Sequence, residues 1–391
     1  MPKIAVIFES SPFDRKGLFN AVHNRILHLK NIGLCSIDAF CVHSWDNAFT
    51  RRIRHTPQVP GRYDNVDIDG ISYRMLWYDF SIADHISVSK LHIPPFFFKR
   101  FLKRNLGLLA GYDMIIAHSF TGGLFAHEAF ERYGIPYIVN WHGSDVHTHP
   151  WRNYLILRAT ERVMKGAACN CFVSSALKDA SAKIFQGGQK EILLNGVSDA
   201  FRTFPEDKRL ALRKEYGVKP EVKVVAFVGS IVQVKNVRSL QPIFSEIQSL
   251  YAGPLQFWMV GDGKLRGEIE PAMKNHPEID VRFWGNVPAQ DMPSIMNCID
   301  LMILPSLNEG LPLVCAEAIG CGANVIGSDT GGISEVIGKE NTVPLGEGFV
   351  EGMADKAVQM LDNPQRQKLP SELDWASTAA KELSIVKEIL A

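Results

Sequence analysis

The sequence predicts an α/β protein built of two Rossmann-like units facing each other across a cleft. Three observations carry this. Short apolar runs alternate with helical segments along most of the chain. The alternation starts twice, on either side of a polar, turn-rich stretch at 195–221. The 391 residues, 46% of them apolar, suffice for two cores at roughly 100–200 residues per domain.

The first series opens with KIAVIF (3–8), a buried parallel strand by its continuous apolar character. GLFNAVHNRILHLKNIG then places Leu18, Val22, Ile26 and Leu29 on one helical face, and Gly33 ends the helix. SIDAFCV (36–42) completes a βαβ opening, which calls for a right-handed crossover. DNVDIDGISYRMLW (64–77) reads as a hairpin turning at Asp69-Gly70. Further strands are expected at 114–118, 136–141, 169–174 and 191–195. The second series gives strands at 223–229, 255–261, 280–287, 300–305, 324–329 and 341–345, and one helix over 371–390 ends the chain. The domain boundaries follow as 1–195, 196–370 and a terminal helical segment 371–391.

Charge excludes one broad class. The 42 basic and 42 acidic side chains cancel, whereas a general nucleic-acid binder carries a basic excess. The seven cysteines are odd in number and scattered, so neither a disulfide framework nor a zinc site is predicted. Cys169 and Cys171 fall on one face of a strand as buried thiols. No apolar run is long enough for a signal sequence or a membrane span, so a soluble, cytoplasmic protein is expected.

The most informative stretch is NEGLPLVCAEAIGCG (308–322), where Glu309 and Glu317 stand with seven residues between them in an otherwise apolar run. A buried strand ends before it, and Pro312 suits the first position of a new helix. Leu311 then occupies the cap position and cannot cap, so the N–H groups of Leu313 and Val314 lack partners and form an anion site. Carboxylates accept hydrogen bonds from hydroxyls, above all neighbouring ones. An anion flanked by two sets of hydroxyls describes a nucleotide sugar. Glu317 would hold the ribose diol, the helix start the diphosphate, and Glu309 the sugar. A solvent-facing loop acid and a locally satisfied helical acid is the bland reading of the same pair.

PSLNEGLPLVCAEAIGCGANVIGSDTGGISEVI (305–337) tips the balance, because it resembles the E-x7-E region of the family-4 retaining glycosyltransferases, which have the GT-B fold. FVSS, LLNGVSDAF, FVGSIVQVKNV, MVGDG and FWGNV resemble other family blocks in the right order. The resemblance is specific over about 195–390 and weaker before it. It implies sugar transfer from a nucleoside-diphosphate sugar to a glycan or glycolipid hydroxyl, with retention of configuration and without a metal or other cofactor. It also implies that the Trp375 segment crosses back onto the first domain, which would take the acceptor. By position it makes Lys235 the base that neutralises the diphosphate, Glu309 the donor-sugar residue and His142, in NWHGSD, the active-site histidine at the end of a first-domain strand. Gly17, Gly261 and the Gly310-Leu311-Pro312-Leu313-Val314 run would line the donor. Where the family commonly has arginine, this chain has Ser230, and Arg238 or Arg266 could substitute. His118, Phe120 and Thr121, at a first-domain strand end, are acceptor candidates.

Other signals weigh less. Asp67-Ile68-Asp69 is a D-x-D triplet, but it lies at the hairpin turn. No G-x-G-x-x-G follows the first strand, which argues against a nicotinamide dehydrogenase. PPFFFKRFLKRNLGLL (94–109) would gather Phe97, Phe98, Phe101, Leu102, Leu106 and Leu109 on one face and Lys99, Arg100, Lys103 and Arg104 on the other. This is a helix packed on the sheet or a peripheral contact with anionic lipid. The competing functions are a nucleotide-sugar epimerase, for which no acid/base cluster is found, and a non-catalytic nucleotide-sugar-binding protein, which Ser230 keeps open.

Overall fold

A computed structural model describes residues 1–13, 17–54, 58–93 and 95–391. The chain forms two compact units: Met1–Asn195 together with Trp375–Ala391, and Gly196–Asp374.

Among the described residues, the first unit holds a sheet of eight strands: β1 (Lys3–Glu9), β2 (Ser36–Asp46), β3 (Asn65–Ile68), β4 (Ile71–Phe80), β5 (Met114–His118), β6 (Tyr137–Trp141), β7 (Cys169–Phe172) and β8 (Lys190–Ile192). Their spatial order is β3-β4-β2-β1-β5-β6-β7-β8, and every pair is parallel except β3 with β4. That exception is the expected hairpin. Asp69 (φ 48°) and Gly70 (φ 76°) supply the two left-handed residues that a tight hairpin turn demands. β2 runs four residues beyond its predicted end, to Asp46, because β4 pairs with it from Ala39 to Asp46. β8 is shorter than predicted and ends at Ile192.

The first helix, Leu18–Ile32, buries Val22, Ile26 and Leu29 and ends at Gly33 in the left-handed conformation. The terminal helix, Trp375–Leu390, begins four residues later than predicted and packs on this first helix. Its Ala379, Leu383 and Val386 share one apolar core with Val22, Ile26 and Leu29. A buried polar hub pins it there. Arg25 reaches Asn140 Oδ1 (2.8 Å), Asn195 Oδ1 (2.9 Å), the Leu193 carbonyl (2.9 Å) and Glu382 Oε1 (3.4 Å), while Asn140 donates to Glu382 at 2.8 Å. Arg25 and Glu382 are both fully buried.

The second unit holds six parallel strands: β9 (Lys223–Val228), β10 (Leu255–Val260), β11 (Val281–Gly285), β12 (Leu301–Leu304), β13 (Asn324–Ser328) and β14 (Thr342–Val343), in the order β11-β10-β9-β12-β13-β14. In both sheets the order reverses beside the opening strand, between β1 and β5 and between β9 and β12. Connections on either side of such a point leave to opposite faces, so a crevice opens at the strands' carboxyl ends, where ligands bind in open α/β sheets.

Candidate functional site

In the second unit the reversal point is flanked by the loop after β9, which carries Ser230 and Lys235, and the loop after β12, which carries Glu309. Two close contacts hold these loops. The Leu307 N–H donates to the Val234 carbonyl at 2.8 Å. Gly331, at φ 54°, lies so near Glu309 that a Cβ there would fall 2.0 Å from the Glu309 carbonyl oxygen. Lys235 Nζ lies 2.5 Å from Glu309 Oε1, and Ser306 Oγ donates to the same oxygen at 2.6 Å. Both charged side chains are largely buried, at 20% and 13% exposure. The two residues expected to face different parts of a ligand are thus partners of one another. An ammonium has three donors, so Lys235 keeps two for an incoming anion.

The following helix starts one residue later than predicted. It spans Leu313–Gly320 with Pro312 as the capping residue in place of Leu311, and it ends before Gly322, with Cys321 closing it. Among the described residues no side chain caps it, and the Cys315 N–H donates to the Pro312 carbonyl at 3.0 Å. Among the described residues no acceptor meets the N–H groups of Leu313 and Val314. Gly310 and Pro312 are buried, while Leu311, Leu313 and Val314 are partly exposed.

Glu317 lies one turn further along this helix. It is half-buried, and desolvation pushes its carboxyl up to about 7. Among the described residues no group donates a hydrogen bond to its carboxylate. A half-buried carboxylate with no protein donor is open to accept hydrogen bonds from a ligand's hydroxyls. The Oδ1 of Asn308, buried in the adjoining loop, also has no partner among the described residues. Sequence reasoning missed Asn308 because nothing in its type or spacing distinguishes it from a turn asparagine.

Gly261 serves the backbone. At φ 125°, a Cβ on it would sit 2.0 Å from the Gly229 carbonyl oxygen, so the β10 end can approach the β9 loop only as glycine. Ser230 is exposed at that loop. Neither arginine proposed to stand in for it is uncommitted. Arg238 pairs with Glu268 at 2.6 and 2.8 Å, and Arg266 with Glu270 at 2.9 Å and Asp262 at 3.4 Å.

In the first unit, His142 follows β6. Its N–H donates to both oxygens of Asp145 (3.1 Å each), and the Gly143 N–H donates to Asp145 Oδ1 at 2.8 Å. His142 Nε2 lies 3.0 Å from His118 Nδ1, with the rings stacked at 5.3 Å. Burial first, then the nearby Arg25 charge, lowers His142 to about 3; burial, His142 and Arg25 take His118 well below its usual value. Both rings are therefore neutral at physiological pH. Phe120 and Thr121 line a cavity at the β5 end, whereas His118 is buried against His142 and does not reach it. Ser119, between them, holds φ 61°, an uncommon conformation for a residue with a side chain. Gly17 caps the first helix at φ 42°, and Lys16 beside it lies outside the described residues.

Asp67 and Asp69 lie on the hairpin, and Asp69 meets His23 Nε2 at 3.1 Å. The basic segment forms a helix at Phe98–Asn105, continued by a tighter turn at Leu106–Leu109; residue 94 lies outside the described residues. Phe98, Leu102, Leu106 and Leu109 are buried and Phe101 partly so, while Phe97 departs from the expected face and is exposed with Phe96. Phe97 precedes the helix, so helical periodicity does not place it. Lys99, Arg100, Lys103 and Arg104 face solvent. Among the described residues no helix is long and apolar enough to cross a membrane.

Residues 38–192 match the family model described as Glycosyl transferase 4-like domain, and residues 222–363 the model described as Glycosyl transferases group 1. The chain is 28% identical over 244 residues to a Bacillus subtilis (strain 168) protein named provisionally as the teichuronic acid biosynthesis glycosyltransferase TuaC, covering 62% of this chain and 60% of that one. It is 35% identical over 156 residues to N-acetyl-alpha-D-glucosaminyl L-malate synthase of Bacillus anthracis, covering 39% of this chain and 40% of that one. The matches therefore span less than two thirds of either relative. Among solved structures, sucrose-phosphate synthase from Thermosynechococcus elongatus superposes with a TM-score of 0.77 at 16% identity, covering 100% of this chain and 99% of that one. Anabaena Alr3699/HepE in complex with UDP and glucose gives 0.67 at 16%, covering 100% and 98%. These likenesses fix the fold as the GT-B type.

Proposed function

Because its two units match the glycosyl transferase 4-like and the group 1 glycosyl transferase models in turn, we propose that the chain is a glycosyltransferase. It moves a sugar from a nucleoside-diphosphate sugar to a hydroxyl of a glycan or lipid-linked glycan, with retention of configuration. The observation that carries this reading is the group at the second unit's reversal point: the Lys235–Glu309 pair, two N–H groups without acceptors and the hydroxyl-seeking Glu317. Several solved neighbours are complexes with UDP, glucose or UDP-glucose, which supports a donor of this class.

In the reaction the bond from the anomeric carbon to the diphosphate breaks and its electron pair leaves with the diphosphate. The acceptor oxygen bonds to the anomeric carbon on the face from which the diphosphate departs, and its proton passes to the leaving phosphate oxygen. Lys235 and the N–H groups of Leu313 and Val314 stabilise the charge that develops on the leaving group. Glu317 takes the ribose diol, and Glu309, held by Lys235 and Ser306, takes sugar hydroxyls. His142, neutral because of its burial, serves as a hydrogen-bonding partner and not as a cation. The first unit takes the acceptor. Protein groups carry the leaving charge without a metal, so activity is expected to survive a chelator.

We infer a cytoplasmic location with peripheral contact to anionic lipid through 94–109, of which residue 94 lies outside the described residues; exposed Phe96 and Phe97 beside four solvent-facing cations support the lipid contact.

The test is incubation with a panel of nucleotide sugars, detecting released nucleoside diphosphate. Slow release accelerated by added acceptor supports transfer. Binding without release from any donor, with or without acceptor, favours a non-catalytic sugar-nucleotide binder instead.

A further inference from the structure

The first unit contains a cavity of about 340 Å³ at the carboxyl ends of its strands, beside the β1/β5 reversal point. Its walls follow from strand periodicity. Ser44 is in register with Tyr78, and Val42 and Phe80 stand two residues away on the same face, so all four project to one side of the sheet. Phe98, Leu124 and Ile156 close the space from three helices. One end is different. There Thr121 donates to Glu9, and Asp145 is held by the His142 and Gly143 N–H groups, and His92, Thr148, His149 and Arg152 add further polar and charged lining to the same space.

We propose that this cavity seats the apolar portion of an amphipathic acceptor, an alkyl or aryl group carried by the sugar, and that its polar end presents the acceptor hydroxyls beside the His142 loop. This deepens the transferase reading and rests on it. A purely polar glycan would leave Tyr78, Phe98, Leu124 and Ile156 against water-filled space, while an apolar group of up to about ten methylene-sized units fits the volume. Burial of apolar area then supplies affinity, and the polar end sets direction.

The probes are methyl, butyl, hexyl and octyl β-D-glucosides and phenyl β-D-glucoside, below micellar concentrations, titrated onto the full-length protein and followed by saturation-transfer NMR. Affinity is expected to rise by up to roughly fourfold per methylene buried, levelling off once the cavity is full. A phenyl glucoside that outbinds hexyl identifies an aryl source, and the reverse an alkyl chain. Leu124→Trp fills the cavity and should abolish the chain-length dependence while the thermal transition stays cooperative. Ile156→Asn, which makes the wall polar, should act the same way if Leu124→Trp misfolds. Chain-length-independent binding, or a dependence that survives in a folded cavity variant, overturns the proposal. Failure of the transferase reading shows separately, as nucleotide sugars that do not bind while the glucoside series behaves as expected.

Discussion

Glu317 carries the sharpest prediction at the scale of single residues. Its carboxyl titrates near 7 because it is desolvated and unpaired, not because a neighbouring acid repels it. If the ribose diol donates to the carboxylate, donor affinity is highest above about pH 7 and falls as pH drops through it and the group protonates. Glu317→Gln should flatten that limb between pH 6 and 8 in donor titrations. His142 cannot mimic it, being lowered to about 3. Stability runs the opposite way. The folded pKa is raised above the ordinary 4.5, so the ionised form is disfavoured in the native state, and this residue's contribution to stability, full below about 4.5, is lost as pH rises from there through about 7. Ser230 gives a second prediction. Lys235 is already matched by Glu309, and Arg238 and Arg266 are held by carboxylates. Ser230→Arg should therefore add an unmatched cation at the β9 loop and tighten nucleotide binding about tenfold, or about 1.4 kcal/mol, with a steeper salt dependence. Unchanged affinity would place the diphosphate away from this loop.

Elements come together here through a few enforced contacts, and these differ in how plainly the sequence announces them. The β12–turn–helix carrying both acids was legible because an apolar strand, a Gly-Leu-Pro turn and a helical run follow each other without ambiguity. The helix start was misplaced by one residue, since Pro312 at a cap and Pro312 at a first turn have the same composition around them. The Lys235–Glu309 pairing was not legible, because 74 residues separate the partners and only the parallel β9–β12 neighbourhood brings their loops together. The Arg25 hub was invisible for the same reason: its partners come from β6, the stretch after β8 and the last helix. It yields a stability prediction. Glu382→Ala leaves Arg25 fully buried without its counter-charge and should cost about 3–5 kcal/mol in chemical denaturation. A loss under about 1 kcal/mol would mean that water enters to solvate Arg25.

The whole molecule is two units whose chain order and packing disagree at one place, the last helix. Ending the chain at residue 374 removes Leu383, Ile385 and Val386, each buried and each worth about 1.5–3 kcal/mol, from the first unit's core. Such a truncation should unfold the first unit while the second unit's calorimetric transition persists. At this scale the basic helix is testable too. Liposome flotation with anionic vesicles should retain the wild type and lose a variant with Lys99, Arg100, Lys103 and Arg104 changed to Gln, at about 1 kcal/mol per cation near the surface. The direct test of the central claim, that the second unit's reversal point holds a nucleotide sugar through Glu317, is calorimetric titration of the best donor onto wild type and Glu317→Ala. The account predicts at least about tenfold weaker binding, with the corresponding nucleoside lacking its ribose hydroxyls insensitive to the substitution. Equal donor affinity in a folded Glu317→Ala protein would contradict it.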